Sequence, residues 1–325
     1  MSQHTEAGQA SFDRRAIPAD AVEGKWIAAD GHAVRRIDWP GPTAGTPVRG
    51  SLLFMAGRGD AYEKYLETLE HWRQQGWRVS AADWRGQGGS GRFGTDDTTG
   101  HIGNFAEWIA DLAGFWSEWA EQGEGPLVLV GHSMGGHLVM RAAIEKVLTP
   151  RPDALVLSAP MLDTFPEMLP LPLKRGFSWL MTRLGDPRRP AWKISERPGT
   201  RAGMRRTLLT HDDARYEDEL WWREARPELR LGPGSWGWVR SAATSSSAMF
   251  RRGALESVDL PVFIVATDAD RLVSPSAIRA ALARLPDAEA LIFGAEARHE
   301  VLREVDPVRD RALAAIDAFL TARLG

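Results

Sequence analysis

Short, continuous apolar runs alternate along this chain with longer segments whose apolar residues recur at helical spacing. Residues 51–56 (SLLFMA), 77–82, 127–130 (LVLV), 154–158, 261–267 (PVFIVAT) and 289–293 read as strands. Runs this uniformly apolar predict strands buried on both faces. Between them, Tyr65, Leu66, Leu69 and Trp72 fall on one helical face, and Gly76 is a natural stop. Residues 104–122 place Phe105, Trp108, Ile109, Leu112, Phe115, Trp116 and Trp119 on a single stripe, which predicts an amphipathic helix. Helices are also expected over about 135–147, 276–285 and 306–324. Near the start, two strand-like runs flank Asp30-Gly31, a turn dipeptide, and predict a hairpin.

This alternation predicts an α/β fold with a mostly parallel central sheet covered by helices on both faces. The rhythm breaks between 161 and 252, a stretch rich in Pro, Arg and Trp without buried-strand runs. It reads as a helical insertion, a cap or lid, between core segments 21–160 and 253–325. Residues 1–20 are polar and read as a flexible tail.

The central chemical motif is Gly131-His132-Ser133-Met134-Gly135. It follows the apolar run LVLV directly and precedes a helix, the strand–turn–helix context of a nucleophile elbow. A serine on so sharp a turn needs glycine at its flanks to avoid clashes, and the helix N-terminus aims N–H groups at a reacting carbonyl. Such a serine needs a histidine base and a carboxylate, in the chain order Ser, Asp or Glu, His. Beyond His137, which sits in the elbow helix, only His211 and His299 follow Ser133. His211 belongs to the insertion. His299 lies in the loop after the last strand, where a base should be. For the acid, Asp268 and Asp270 both follow the run PVFIVAT; Asp270 is favoured, with Asp268 expected to cap the turn. Asp163 is a weaker rival.

Composition narrows the chemistry. The chain has 325 residues, no cysteine and a formal charge of −3. Thiolate catalysis, disulfides and cysteine-ligated metal are thereby excluded. No overall basic excess suggests nucleic acid as a partner. No His, Asp and Glu cluster at metal spacing stands out, and neither metal nor cofactor is expected. The start of the chain lacks the apolar run of a signal peptide, and no apolar stretch is long enough to span a bilayer. A cytoplasmic protein is expected, with peripheral membrane contact as an option. That option comes from the insertion, which carries 17 Lys or Arg against 11 Asp or Glu and six of the 14 tryptophans. Phe165, Met168, Leu169, Leu171, Phe177, Trp179, Trp221, Trp222, Trp236 and Trp238 make it apolar enough to line an acyl pocket. A core for the insertion itself would use the same residues.

Several segments together resemble the α/β-hydrolase superfamily, in its monoacylglycerol lipase and bacterial lysophospholipase branch. Residues 83–90 (DWRGQGGS) resemble the branch's D-x-R-G-x-G-x-S loop, and residues 131–138 (GHSMGGHL) its elbow. Residues 269–273 resemble the acid loop, 294–300 the base loop, and parts of 208–238 the bacterial cap. The resemblance implies Ser133, Asp270 and His299 as the triad, with backbone N–H groups of Arg58 and Met134 as the oxyanion hole. It departs from many relatives at Ala56-Gly57, where they carry His-Gly; a backbone donor survives that change. The expected activity is hydrolysis of esters with lipophilic acyl chains, of lysophospholipid or monoacylglycerol. Alternatives are a carboxylesterase or lactonase without lipid preference, or a non-catalytic binding module. The oligomeric state is not legible.

Overall fold

The computed structural model describes residues 12–39, 41, 42, 45, 47–164, 167–192 and 202–325. Residues 1–11 of the expected tail, and Phe165 of the expected pocket lining, lie outside the described residues.

The strands are β1 (Val22–Ile27), β2 (Ala33–Trp39), β3 (Gly50–Met55), β4 (Trp77–Ala82), β5 (Leu127–His132), β6 (Ala154–Ser158), β7 (Val262–Thr267) and β8 (Ala288–Phe293). They form one eight-stranded sheet in the order β1-β2-β4-β3-β5-β6-β7-β8. The pairs β1–β2 and β2–β4 are antiparallel and the rest are parallel. The helices are α1 (Leu66–Gln74), α2 (Phe105–Glu121), α3 (Met134–Ile144), α4 (Leu171–Arg183), α5 (Ala202–Leu209), α6 (Asp213–Ala225), α7 (Trp236–Met249), α8 (Pro275–Leu282) and α9 (Asp306–Leu324).

The central strands are apolar throughout because both faces are covered. Leu53, Leu129, Leu155 and Ile264 belong to one core with α2, α3 and α8, while Phe54, Val130, Val156 and Val265 belong to the other with α1 and α9. Successive residues thus alternate between two dry layers. Trp72, Trp108 and Trp116 are completely buried; truncating one such side chain costs about 3–5 kcal/mol. Helix α2 starts at a reciprocal cap, with Asn104 Oδ1 accepting Ala106 N–H at 3.0 Å and Glu107 accepting Asn104 N–H at 3.0 Å.

Residues 12–20 fall within the stretch read as a tail, yet they dock on α6. Arg14 and Arg15 each donate to Asp218 at 2.6 Å, Trp222 Nε1 donates to the Arg14 carbonyl at 2.8 Å, and Phe12 and Ile17 pack on the core. Helices α4 to α7 occupy the chain between β6 and β7. Among the described residues, no helix is long and apolar enough to cross a membrane.

Candidate active site

Ser133 stands at the turn between β5 and α3 with φ 52° and ψ −115°. A non-glycine residue in that region costs about 1–3 kcal/mol and persists only when its surroundings enforce it. Here they do. Ser133 N–H donates to the Ser158 carbonyl at 2.9 Å, and Met161 N–H donates to the Ser133 carbonyl at 2.9 Å. The flanking glycines are sterically required. A Cβ on Gly135 would lie 2.3 Å from the Met55 carbonyl oxygen, and one on Gly131 would lie 2.7 Å from the Gly136 backbone.

Two loops at the strand ends bring an acid and a base to this serine. His299 Nε2 lies 2.9 Å from Ser133 Oγ, and His299 Nδ1 lies 2.7 Å from Asp270 Oδ2. The second Asp270 oxygen accepts the N–H groups of Leu272 (2.8 Å) and Val273 (3.1 Å), which locks the carboxylate. A carboxylate only accepts, so Nδ1 carries the proton and Nε2 is left to accept from the serine hydroxyl. All three residues are buried. Burial pushes the Asp270 pKa up, but His299 and the backbone donors outweigh it and the net shift is downward. Burial lowers the His299 pKa, and Asp270, Glu300 and Asp60 reverse this to a net rise.

The other candidates are engaged elsewhere. Asp268 was expected to cap its own turn; instead it forms an exposed bidentate pair with Arg279, and Thr267 Oγ1 accepts the Ala269 N–H at 3.0 Å. The arginine offers two charged donors where the turn offers a neutral one. Asp163 holds Lys174 at 3.0 Å. His137 faces away, between the Met161 carbonyl (2.8 Å) and Ser245 Oγ (2.6 Å), and burial lowers its pKa to about 3. His211 pairs with Glu304 at 2.9 Å.

The turn after β3 runs against the serine: a Cβ on Gly57 would lie 3.0 Å from Ser133 Cβ. Arg58 follows Gly57 in that turn, and Met134 opens α3. The two expected oxyanion donors therefore sit on the segments that flank the serine. The DWRGQGGS loop is a braced turn, with Asp83 accepting from Gly89 N–H and Arg35 at 2.8 Å each.

Residues 46–306 match the Hydrolase_4 family, described as serine aminopeptidase, S33. The chain belongs to this family. Lysophospholipase L2 of Escherichia coli (strain K12) is 27% identical to this family member over 280 residues, 82% of this chain and 79% of that protein. A monoglyceride lipase from Saccharomyces cerevisiae shares the fold with a TM-score of 0.76 at 18% identity, over 97% of this chain and 99% of that one. A monoacylglycerol lipase from Paleococcus ferrophilus does so with a TM-score of 0.67 at 21% identity, over 89% and 99%. Together these place this Hydrolase_4 chain among α/β-hydrolases, in the monoacylglycerol lipase and lysophospholipase branch, as the motifs led us to expect.

Beside His299 in this family member lies a buried ionic network that no pattern in the sequence announces. Lys64 Nζ contacts Asp60 (2.5 Å), Glu300 (2.6 Å) and Glu219 of α6 (3.1 Å), and Arg303 contacts Glu300 and Glu219. Asp60, His132 and Glu300 bring possible metal-ligand atoms within 4.8 Å of one another. The cation that Asp60 and Glu300 share is the Lys64 ammonium. The i,i+4 spacing of Asp60 and Lys64 was visible, but such pairs usually lie on solvated helix faces.

Proposed function

We propose that this serine ester hydrolase cleaves esters of lipophilic acyl chains, of the lysophospholipid or monoacylglycerol kind, through an acyl-enzyme on Ser133. The observation that carries the reading is the unbroken hydrogen-bonded series Ser133–His299–Asp270. The relatives' names supply the lipid class. In this reading His299 Nε2 takes the hydroxyl proton as Ser133 Oγ attacks the ester carbonyl. The carbonyl π pair moves onto oxygen, and the N–H groups of Arg58 and Met134 hold the resulting oxyanion, each worth roughly 3 kcal/mol. Collapse expels the alcohol, which takes the proton from His299. Water then repeats the sequence on the acyl-enzyme, releasing the acid and restoring Ser133. Asp270 keeps the tautomer and balances the imidazolium charge.

Residues 161–252 act as the cap over this site, and α4 is the part we assign to the lipid surface. Its buried positions are polar, Lys174 and Ser178. Leu173, Phe177, Leu180 and Leu184 face outward at 44–65% exposure, beside Met168 at 94%. Arg175, Arg183 and Arg188 are exposed around them. An inverted amphipathic helix ringed by arginines suits an anionic lipid interface. Trp222 and Trp238 are instead buried in the hydrophobic cores.

The test is a panel of acyl-chain lengths and head groups, with an aminoacyl anilide included, run on wild type beside Ser133→Ala. Rates should rise with acyl length, and Ser133→Ala should be inactive and refuse a fluorophosphonate label. A flat chain-length response would favour a general carboxylesterase. Wild-type rates in Ser133→Ala would end the serine reading.

A further inference from the structure

The turn after β3 is held by three side chains that no step of the reaction uses. Trp84 Nε1 donates to the Ala56 carbonyl at 2.7 Å. Asp60 Oδ2 accepts the Gly57 N–H at 3.2 Å, and Gln87 Oε1 accepts the Gly59 N–H at 2.9 Å. The peptides on either side of Gly57–Arg58 are therefore both tied to buried side chains. The Gly57–Arg58 peptide between them is the one whose N–H must point at the substrate. Gln87 also lies against the second donor's residue, with Nε2 3.7 Å from Met134 Sδ. Asp60 and Gln87 are 6% and 2% exposed, so no solvent competes for these bonds.

We infer that Gln87 and Asp60 are positioning residues of the oxyanion turn, holding the Arg58 N–H in its working orientation before substrate arrives. The inference rests on the serine-hydrolase reading above. Donors fixed in advance stabilise a developing oxyanion without reorganising during the reaction. A carboxylate beside an oxyanion would oppose it. Asp60 avoids this because Lys64 Nζ contacts its other oxygen at 2.5 Å and Tyr65 OH donates to Oδ2 at 3.0 Å. Gln87 serves the same end as a neutral acceptor.

Gln87→Met keeps the volume and removes the acceptor; Asp60→Ala removes the other. Each is assayed for kcat and KM on a medium-chain nitrophenyl ester, beside wild type and Ser133→Ala. Inhibition is measured with a long-chain trifluoromethyl ketone, which forms an oxyanion on serine, and with an ether analogue of the substrate, which does not. For Gln87→Met, kcat should fall about 10- to 100-fold with KM nearly unchanged, because a small misplacement of a catalytic group costs that much. Ketone affinity should fall by the same factor and ether affinity should not. Asp60→Asn, which keeps an acceptor oxygen, should lose less than Asp60→Ala.

A folded Gln87→Met enzyme with kcat and ketone affinity within about twofold of wild type overturns the inference, as does a loss confined to KM. Should Asp60→Ala not fold, Gln87→Met alone decides. An active Ser133→Ala would instead refute the underlying reading, so the two failures are distinguishable.

Discussion

Asp270→Asn is the sharpest probe of the site, because the surrounding bonds dictate how the amide must sit. One Asp270 oxygen accepts two backbone N–H groups, from Leu272 and Val273, and the other accepts His299 Nδ1–H at 2.7 Å. Asparagine can keep only one oxygen. If it stays against the two backbone donors, the NH2 faces His299, Nδ1 must accept, and the proton moves to Nε2. His299 then donates to Ser133 and cannot act as its base. Turning the amide over gives up two hydrogen bonds, at a cost of about 2–3 kcal/mol. That leaves roughly 1% of molecules with the working tautomer. Losing the charge opposite the imidazolium costs a further 1.5–3 kcal/mol or so. The expected fall in kcat is thus about 10³- to 10⁴-fold, with the melting temperature little changed. Steady-state kinetics on a nitrophenyl ester beside thermal melting measure both. A folded Asp270→Asn enzyme within about tenfold of wild-type kcat refutes the reasoning. Asp268→Asn is the control, since that exposed pair with Arg279 should change the rate less than about twofold.

The remaining predictions probe different features. His299 is active only when Nε2 is neutral, so the rate falls as pH drops through its pKa; with that pKa raised, the acid limb of kcat/KM should lie above the ordinary imidazole value of about 6.5, and a limb below it in a pH–rate profile would contradict the electrostatics. Ser133→Gly should be more stable than Ser133→Ala by about 1–2 kcal/mol in urea denaturation, reversing the usual order, because only glycine relieves the strain at φ 52°. Gly135→Ala should fail to fold or lose all activity, as its Cβ would meet the Met55 carbonyl at 2.3 Å; near-wild-type melting and rate would count against that packing. Leu173→Ser with Phe177→Ser removes about 1 kcal/mol of apolar transfer at each site; binding to anionic vesicles should drop by an order of magnitude or more in a sedimentation assay, and unchanged binding would remove α4 from the lipid surface.

What the sequence revealed, and what it did not, follows from how locally each feature is determined. The strands were legible because burial on both faces leaves no polar positions: Leu52 to Met55 and Val128 to Val130 contribute to two cores in alternation. The elbow was legible because its steric demands fall on glycines two residues from the serine. Helix α4 was less so. The spacing of Leu173, Phe177 and Leu180 marks an apolar face, but spacing does not say what covers it, and among the described residues that face is open. Residues 12–20 read as tail by polarity, yet Arg14 and Arg15 are held by Asp218, some 200 positions away. Asp268 and Asp270 differ only in which partner lies within reach, a fact of three dimensions.

The buried charges were the hardest to foresee, and they separate the two sides of the insertion. Glu219 of α6 reaches Lys64 and Arg303, which in turn contact Glu300 next to His299. The end of α5 is bonded to the same loop: His299 N–H donates to the Leu208 carbonyl at 3.4 Å and Glu300 N–H to the Leu209 carbonyl at 2.8 Å. Glu304 accepts both Arg298 N–H (2.9 Å) and His211 N–H (3.1 Å). Removing one member of such a buried ionic set strands its partners, at a cost of about 3–5 kcal/mol. The α5–α6 side is therefore part of the scaffold that fixes His299, and displacing it would disturb the base. Among the described residues, helix α4 has no comparable buried ionic set: Lys174, its one buried charge, pairs with Asp163 within the same insertion. On the proposed reading, an opening that admits an acyl chain while keeping Ser133, His299 and Asp270 in register would come from α4 itself, beyond Asp163 and Glu167, whose bonds to Ser274 and Ser276 tie them to the acid loop; α4 is also the element whose apolar face is turned outward.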